Sequence, residues 1–346
     1  MRILAWHVHG GWMNAFLSGS HDYLIPLAAG APAPPLPPAA RAVDETALRD
    51  EEIDLVVLQR LEEIDLVERL LGRVPGRDVP AVFVEHNTPK QHPIDQRHPL
   101  GDQTDIPIVH VTHFNRLVWD SGQAPTVVIE HGIPDPGPLY TGEIPALGVV
   151  VNEPVRRARV TGTDLLPRFA EAAPLHTFGI DNHLLPAALG LGEDRLQVVG
   201  DLPTGRLHSE LARRRAYLHP LRWTSLGLSL LEAMHLAMPV LVLATTEAAR
   251  AVPPEAGALS SDPEELALAA RRLMDDPDDA RTRGAAARAF ALEHYGLAAF
   301  LRAWDGLFED RVAAHAAARR RRASAGTGDA RRMAPTLVTI TEGTDR

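Results

Sequence analysis

Short apolar runs rich in β-branched residues recur along this chain, each followed by a stretch with helical spacing, and that alternation limits its fold more than anything else. Residues 2–6, 55–59, 81–85, 108–112 and 126–130 form a first series. Several of these runs are apolar nearly throughout, as strands of a parallel sheet covered on both faces must be. Between them, residues 62–71 place Ile64, Val67 and Leu71 on one side of a helix. Strand, helix and strand in succession read as βαβ units. Residues 132–145 (GIPDPGPLYTGEIP) are rich in Gly and Pro and read as a linker. A second strand series follows at 147–152, 175–178, 196–199, 216–218 and 239–244, with helices at 203–215, 227–237, 264–273 and 281–294. The expectation is two successive doubly wound α/β domains joined near residue 140, and 346 residues fit two cores better than one.

Composition closes off some chemistry. With no cysteine there can be no disulfide, thiolate metal site or Cys nucleophile. A formal net charge of −10 argues against a nucleic-acid partner. The only lysine is Lys90, so an anion must be met by Arg, His or backbone amides. Residues 1–12 lack a secretory leader's apolar core and cleavage site, and no run of about 18 apolar residues occurs. A soluble, cytoplasmic protein is expected. The Pro-rich residues 31–40 read as a loop, the run Arg319–Arg322 as a solvated helix end or tail, and the chain from 319 to 346 as disordered.

Residues 217–246 (YLHPLRWTSLGLSLLEAMHLAMPVLVLATT) are the richest in chemistry. A strand gives way to a loop, and Gly227 then opens a helix. Free N–H groups and the helix dipole at such a start favour a phosphate. Glu232 lies two turns in, among Leu228, Leu230 and Leu231. A carboxylate in that setting needs a partner, and a ligand hydroxyl would serve.

The stretch LGLSLLEAM followed by PV resembles the signature of the retaining GT-B glycosyltransferases of the large "family four", where the pattern runs approximately E-G-F-G-L-S-L-L-E-A-M and then G-x-P-V. The resemblance implies two Rossmann-like domains facing across a cleft. It gives Glu232 the role of accepting hydrogen bonds from the nucleotide's ribose hydroxyls. The family's first Glu, which touches the donor sugar, is replaced here by Thr224, and Ser225-Leu226 stand where Gly-Phe is usual. Weaker likenesses occur in the family's order: residues 108–112 with Thr112 at a Ser position, residues 128–133 (VIEHGI), and residues 263–295. His86 falls at the position of a His that contacts the donor sugar.

Further residues join by position. Gly10 and Gly11, just after the first strand, let backbone approach a ligand or simply make a βα turn. Gly200 and Asp201 are expected to line the base, and Gly227 and Leu228 the phosphates. Where the family has an Arg and a Lys after the first C-domain strand, this chain offers Arg156, Arg157 and Arg159, readable as a pyrophosphate clamp or as a solvated loop. The pairs His7/His9 and His110/His113, and Glu85-His86 near His92, lack standard zinc spacing, so no metal is expected.

The reading is a retaining hexosyltransferase moving a sugar from a UDP- or GDP-sugar to an acceptor hydroxyl, with no cofactor required. His86, Thr224 and Glu232 are its candidate catalytic residues. The acceptor is a sugar, a lipid-linked sugar or a small molecule, and the lipid-linked case would bring peripheral membrane contact. Residues 1–140 would hold the acceptor with His7, His9 and His86, residues 141–296 the nucleotide, and a helix over 297–318 would pack back toward the N-terminal domain. The alternatives are a non-hydrolysing nucleotide-sugar epimerase, using Glu85, Glu130 or Glu153, and a catalytically silent GT-B binding protein.

Overall fold

The computed structural model describes the backbone of residues 1–28 and 30–332, with side chains through Arg322. Two parallel sheets organise it. The first contains β1 (Arg2–Ala5), β2 (Asp22–Leu27), β3 (Ala40–Asp44), β4 (Leu55–Leu58), β5 (Ala81–Glu85), β6 (Ile108–His110) and β7 (Thr126–Val128), in the order β3-β2-β1-β4-β5-β6-β7. The second contains β8 (Ile144–Val150), β9 (Leu175–Phe178), β10 (Leu196–Gly200), β11 (Arg214–His219), β12 (Val240–Leu243) and β13 (Gly257–Ser260), in the order β10-β9-β8-β11-β12-β13. Both are doubly wound α/β sheets of Rossmann type. Each reverses its direction of growth at one point, between β1 and β4 and between β8 and β11. Crevices open there beyond the carboxyl ends of the strands.

Strands β4 and β12 are buried along their whole length, which is why the sequence shows them as continuous apolar runs. Strands β2, β3 and β13 go beyond the sequence expectations. Pro26 interrupts β2, yet it sits in register opposite Val43. Strand β3 starts at Ala40, at the end of the Pro-rich stretch read as loop, and only Val43 of its five residues is buried.

The chain passes between domains twice, and the two passages lie side by side. Ile133 N donates to Tyr295 O at 2.9 Å, and Ile133 bridges Gly296. A Cβ on Gly132 would stand 2.3 Å from the Phe300 Cβ, so a glycine is needed there for close approach. The last helix, Leu297–Arg332, then returns to the first domain. Phe300, Trp304 and Phe308, one turn apart, complete the core around Trp12, Phe16 and Tyr23. This helix continues to Arg332, so the disorder expected from residue 319 is overturned for 319–332: the Arg run extends the helix instead of ending it. The remainder of that expectation, 333–346, lies outside the described residues. None of the described helices is long and apolar enough to cross a membrane.

Candidate active site

The first domain's half of the cleft is built at its switch point. After β1, Gly10 and Gly11 begin the helix Gly10–Phe16, whose N-cap His9 is extended and supplies no side-chain cap. Space is open around Gly10. A Cβ on Gly11 would lie 3.2 Å from Leu228 Cδ1, on the opposite domain. Two residues expected at the ligand thus meet across the cleft, and Leu228 packs against the cores of both domains.

His86, after β5, is held by a relay. Gln59, after β4, donates from Nε2 to Trp6 O at 2.7 Å, which turns its Oε1 to His86 Nε2 at 3.0 Å. That orientation assigns the proton to Nε2 and leaves Nδ1 as an acceptor. The ring lies 4.2 Å from His9 and edge-on to Trp12 at 4.9 Å, and Trp12 meets Trp304 of the last helix at 5.8 Å. Burial, with His9 and His131 nearby, holds the His86 imidazole well below its ordinary titration range. It is neutral at pH 7.

The second domain contributes the connection after β11. Trp223 Nε1 donates to Pro89 O at 2.8 Å, and Ser225 Oγ to His86 O at 2.8 Å. Ser225, which departs from the family pattern, therefore clips the loop to the other domain, an interaction a glycine could not make. Thr224, half-buried, lies between these anchors in the chain and has no hydrogen bond of its own among the described residues. Gly227 precedes the helix Leu228–His235, which has no side-chain cap, so its first amides are free. The following turn is fixed from below, where Tyr217 Oη donates to Ser229 Oγ at 2.9 Å. Glu232 is partly exposed and accepts no hydrogen bond from the described residues. The imidazole of His208 lies beside it, with Nε2 3.7 Å from Oε2.

The three arginines differ sharply. Arg156 bonds Glu153 through Nε at 2.7 Å, and Arg159 bonds Asp164 at 2.9 Å; both are largely exposed. Arg157 is half-buried, and burial, more than the neighbouring Arg156, depresses its pKa. Among the described residues it has no hydrogen bond or ion pair. Gly200, with φ +93°, and the exposed Asp201 end β10 on the same side of the sheet, with open space around the glycine.

Several residues here carry no local sequence signal. Glu247, buried after β12, accepts from Phe114 N at 2.6 Å, at the start of helix His113–Val118 in the other domain. Arg250 links Glu247 to Glu130 of the first domain, at 3.4 and 3.2 Å. His131, adjoining Glu130, is buried with neither ring nitrogen bonded. The paired histidines do not gather as metal ligands: His110 is buried in β6, and no group of three or more His, Cys, Asp or Glu that could hold a metal occurs among the described residues.

Burial lowers the pKa of both His131 and His219 from 6.5 to about 4. The unfolded chain takes up those protons near 6.5 and the folded chain only near 4. The stability they contribute is therefore complete above 6.5, falls as pH drops toward 4, and is flat below. Each should cost about 3 kcal/mol across the window. Urea unfolding at successive pH values checks this: a midpoint that does not move between pH 6.5 and about 5.5, above the carboxylate range, would contradict it.

The family model described as Glycosyl transferases group 1 matches residues 156–276. No curated protein matches the chain. Among solved structures, sucrose-phosphate synthase from Thermosynechococcus elongatus is 17% identical and superposes with a TM-score of 0.70, over 91% of this chain and 100% of that one. HepE from Anabaena in complex with UDP is 14% identical, with a TM-score of 0.65 over 90% and 100%. A glycosyltransferase from Rickettsia africae is 13% identical, with a TM-score of 0.64 over 90% and 98%. At these identities the likeness speaks to architecture, and it agrees with the two facing Rossmann sheets. The chain has the GT-B fold, and its residues 156–276 match the family model of the glycosyl transferases group 1.

Proposed function

We propose that this protein transfers a hexosyl group from a nucleoside diphosphate sugar to an acceptor hydroxyl with retention at the anomeric carbon, in the cytoplasm. One observation carries the reading. At the switch point of the second sheet, the connections after β8 and β11 present an unengaged guanidinium, Arg157, and a carboxylate that accepts no hydrogen bond from the described residues, Glu232, with an uncapped helix start between Gly227 and Ser229. A nucleoside diphosphate needs those three things: a cation and free amides for the phosphates, and an acceptor for the ribose hydroxyls. We assign residues 1–140 to the acceptor side, 141–296 to the donor side and 297–318 to the return helix.

In the reaction the acceptor oxygen attacks the anomeric carbon while its bond to the β-phosphate oxygen breaks. The acceptor proton passes to the departing phosphate on the same face of the sugar. No protein nucleophile takes part. The protein stabilises the charge that develops on the diphosphate, through Arg157 and the helix amides. His86 Nδ1 and Thr224 Oγ1 hold sugar hydroxyls, and Gly200 and Asp201 border the base. The UDP held by HepE makes UDP-sugars the first donors to test, with GDP-sugars next. An epimerase would need a free acid or base. Of the carboxylates available, Glu85 is bonded by Asn87 N, Glu130 by Arg250 and Glu153 by Arg156.

Radiolabelled UDP- and GDP-sugars, offered with sugar, lipid-linked and small-molecule acceptors, test the proposal. Free nucleotide together with a labelled glycoside supports transfer. Interconversion of the sugar without nucleotide release would mean an epimerase, and no change with any donor a binding protein. Within this reading, Thr224→Ala should lower turnover only about two- to tenfold, the worth of an uncharged hydrogen bond. If it abolished turnover, Thr224 would have a role as central as the Glu it replaces.

A further inference from the structure

The last helix changes character along one face. Phe300, Trp304 and Phe308 fill the first domain's core, but the next residues on that face are Arg311, Ala314, His315, Ala318, Arg319 and Arg322. The helix stays docked there: Arg311 Nη2 donates to Asp105 O at 2.8 Å, and His315 Nε2 is 3.0 Å from Arg77 O. The small side chains of Ala314 and Ala318 leave a cavity of about 200 Å³ between the helix and the backbone near Gly76 and Asp105. Arg311, Arg319, Arg321 and Arg322 all line it, with Asp105 as its single carboxylate. Gly76 and Asp105 precede β5 and β6, so the cavity lies at the amino ends of strands whose carboxyl ends face the cleft.

On a chain of net charge −10, residues 311–322 hold five arginines, one histidine and no acidic residue. Arg311 Nε is buried with no acceptor. Arg319, Arg321 and Arg322 are exposed, with Asp78 near Arg322, so water and neighbouring groups already screen them. What the hollow adds is the convergence of several planar forks that match phosphate oxygens. We propose that this cavity binds a phosphate group, carried by a soluble metabolite or by a lipid headgroup, as a site separate from the cleft.

The full chain is titrated with pyrophosphate in a calorimeter, and is sedimented with phosphatidylcholine vesicles with and without phosphatidylglycerol. Three variants are compared. The pair Arg319→Ser and Arg322→Ser removes two cations. Ala318→Leu fills the hollow and keeps every charge. Arg320→Ser removes a charge that does not line it. The first two should weaken binding roughly tenfold or more, and Arg320→Ser should leave it near that of the parent chain. Pyrophosphate binding with this pattern identifies a soluble ligand; vesicle binding alone, with this pattern, identifies a headgroup. Pyrophosphate held only in the cleft would be indifferent to these substitutions. If Ala318→Leu does not fold, the double variant still decides. The proposal is overturned if neither probe binds, if binding ignores the first two variants, or if Arg320→Ser weakens it equally. The last pattern, with a single-stranded oligonucleotide bound best, would mark an undirected polyanion patch.

Discussion

Replacing Arg157 with alanine is expected to lower turnover on the order of a hundredfold or more, the usual effect of removing one fixed donor from a developing anion. A diphosphate brings two to three negative charges into the cleft, while a helix start supplies only about half a positive charge. A fixed cation must meet the remainder as the leaving group forms. Arg156 and Arg159 are already neutralised by Glu153 and Asp164 and face solvent. Arg157 is half-buried and unengaged, so it loses least on meeting a phosphate. Alanine at 156 or 159 should accordingly change rates by only about threefold, as for exposed ion pairs. All three variants are assayed by nucleotide release from whichever donor is turned over. Near-normal rates for Arg157→Ala would move the phosphate clamp elsewhere, with Arg206 and Arg222 next; Arg222 is already bonded to Asp164 at 2.5 Å.

Glu232→Gln should weaken nucleotide binding roughly 10- to 100-fold, since hydrogen bonds to a charged acceptor are worth about 1.5–3 kcal/mol. The fold should be unaffected. The replacement has the same shape, and no described group donates a hydrogen bond to the carboxylate that would be lost. His208 Nε2, 3.7 Å from Oε2, makes no hydrogen bond in this geometry. Calorimetric titration with UDP and GDP reads the effect directly, without knowledge of the acceptor. Equal affinity for every nucleotide that binds would remove Glu232 from the site.

Much of the architecture is legible in the chain because parallel, doubly covered strands must be apolar throughout. Strands β4, β5 and β12 are found close to their observed limits for that reason. Strands that break the rule are not. Pro26 disguises β2, four of the five residues of β3 are not fully buried, and β13 is only half-buried and begins on Gly257. The site divides similarly. Glu232, Gly227 and Leu228 lie within one motif, and spacing alone brings them together. The bonds Ser225–His86, Trp223–Pro89 and Glu247–Phe114 each join residues more than a hundred positions apart, and no local pattern encodes such a meeting. The arginines show the same limit from another side. Sequence puts three cations in one loop, but only the positions of Glu153 and Asp164 reveal which one is left unengaged.

The return of the last helix has a consequence for how this protein comes into being. Phe300, Trp304 and Phe308 belong to the core of the first of these two domains, yet they are translated after the strands of the second. Until they emerge, Trp12 and Phe16 have no aromatic partners from that helix, and the platform under His86 is unfinished. The second domain, whose strands end at Ser260, can close while the first still waits. Vectorial synthesis therefore completes the two domains out of order, the first sealed by a helix made after the strands of the second.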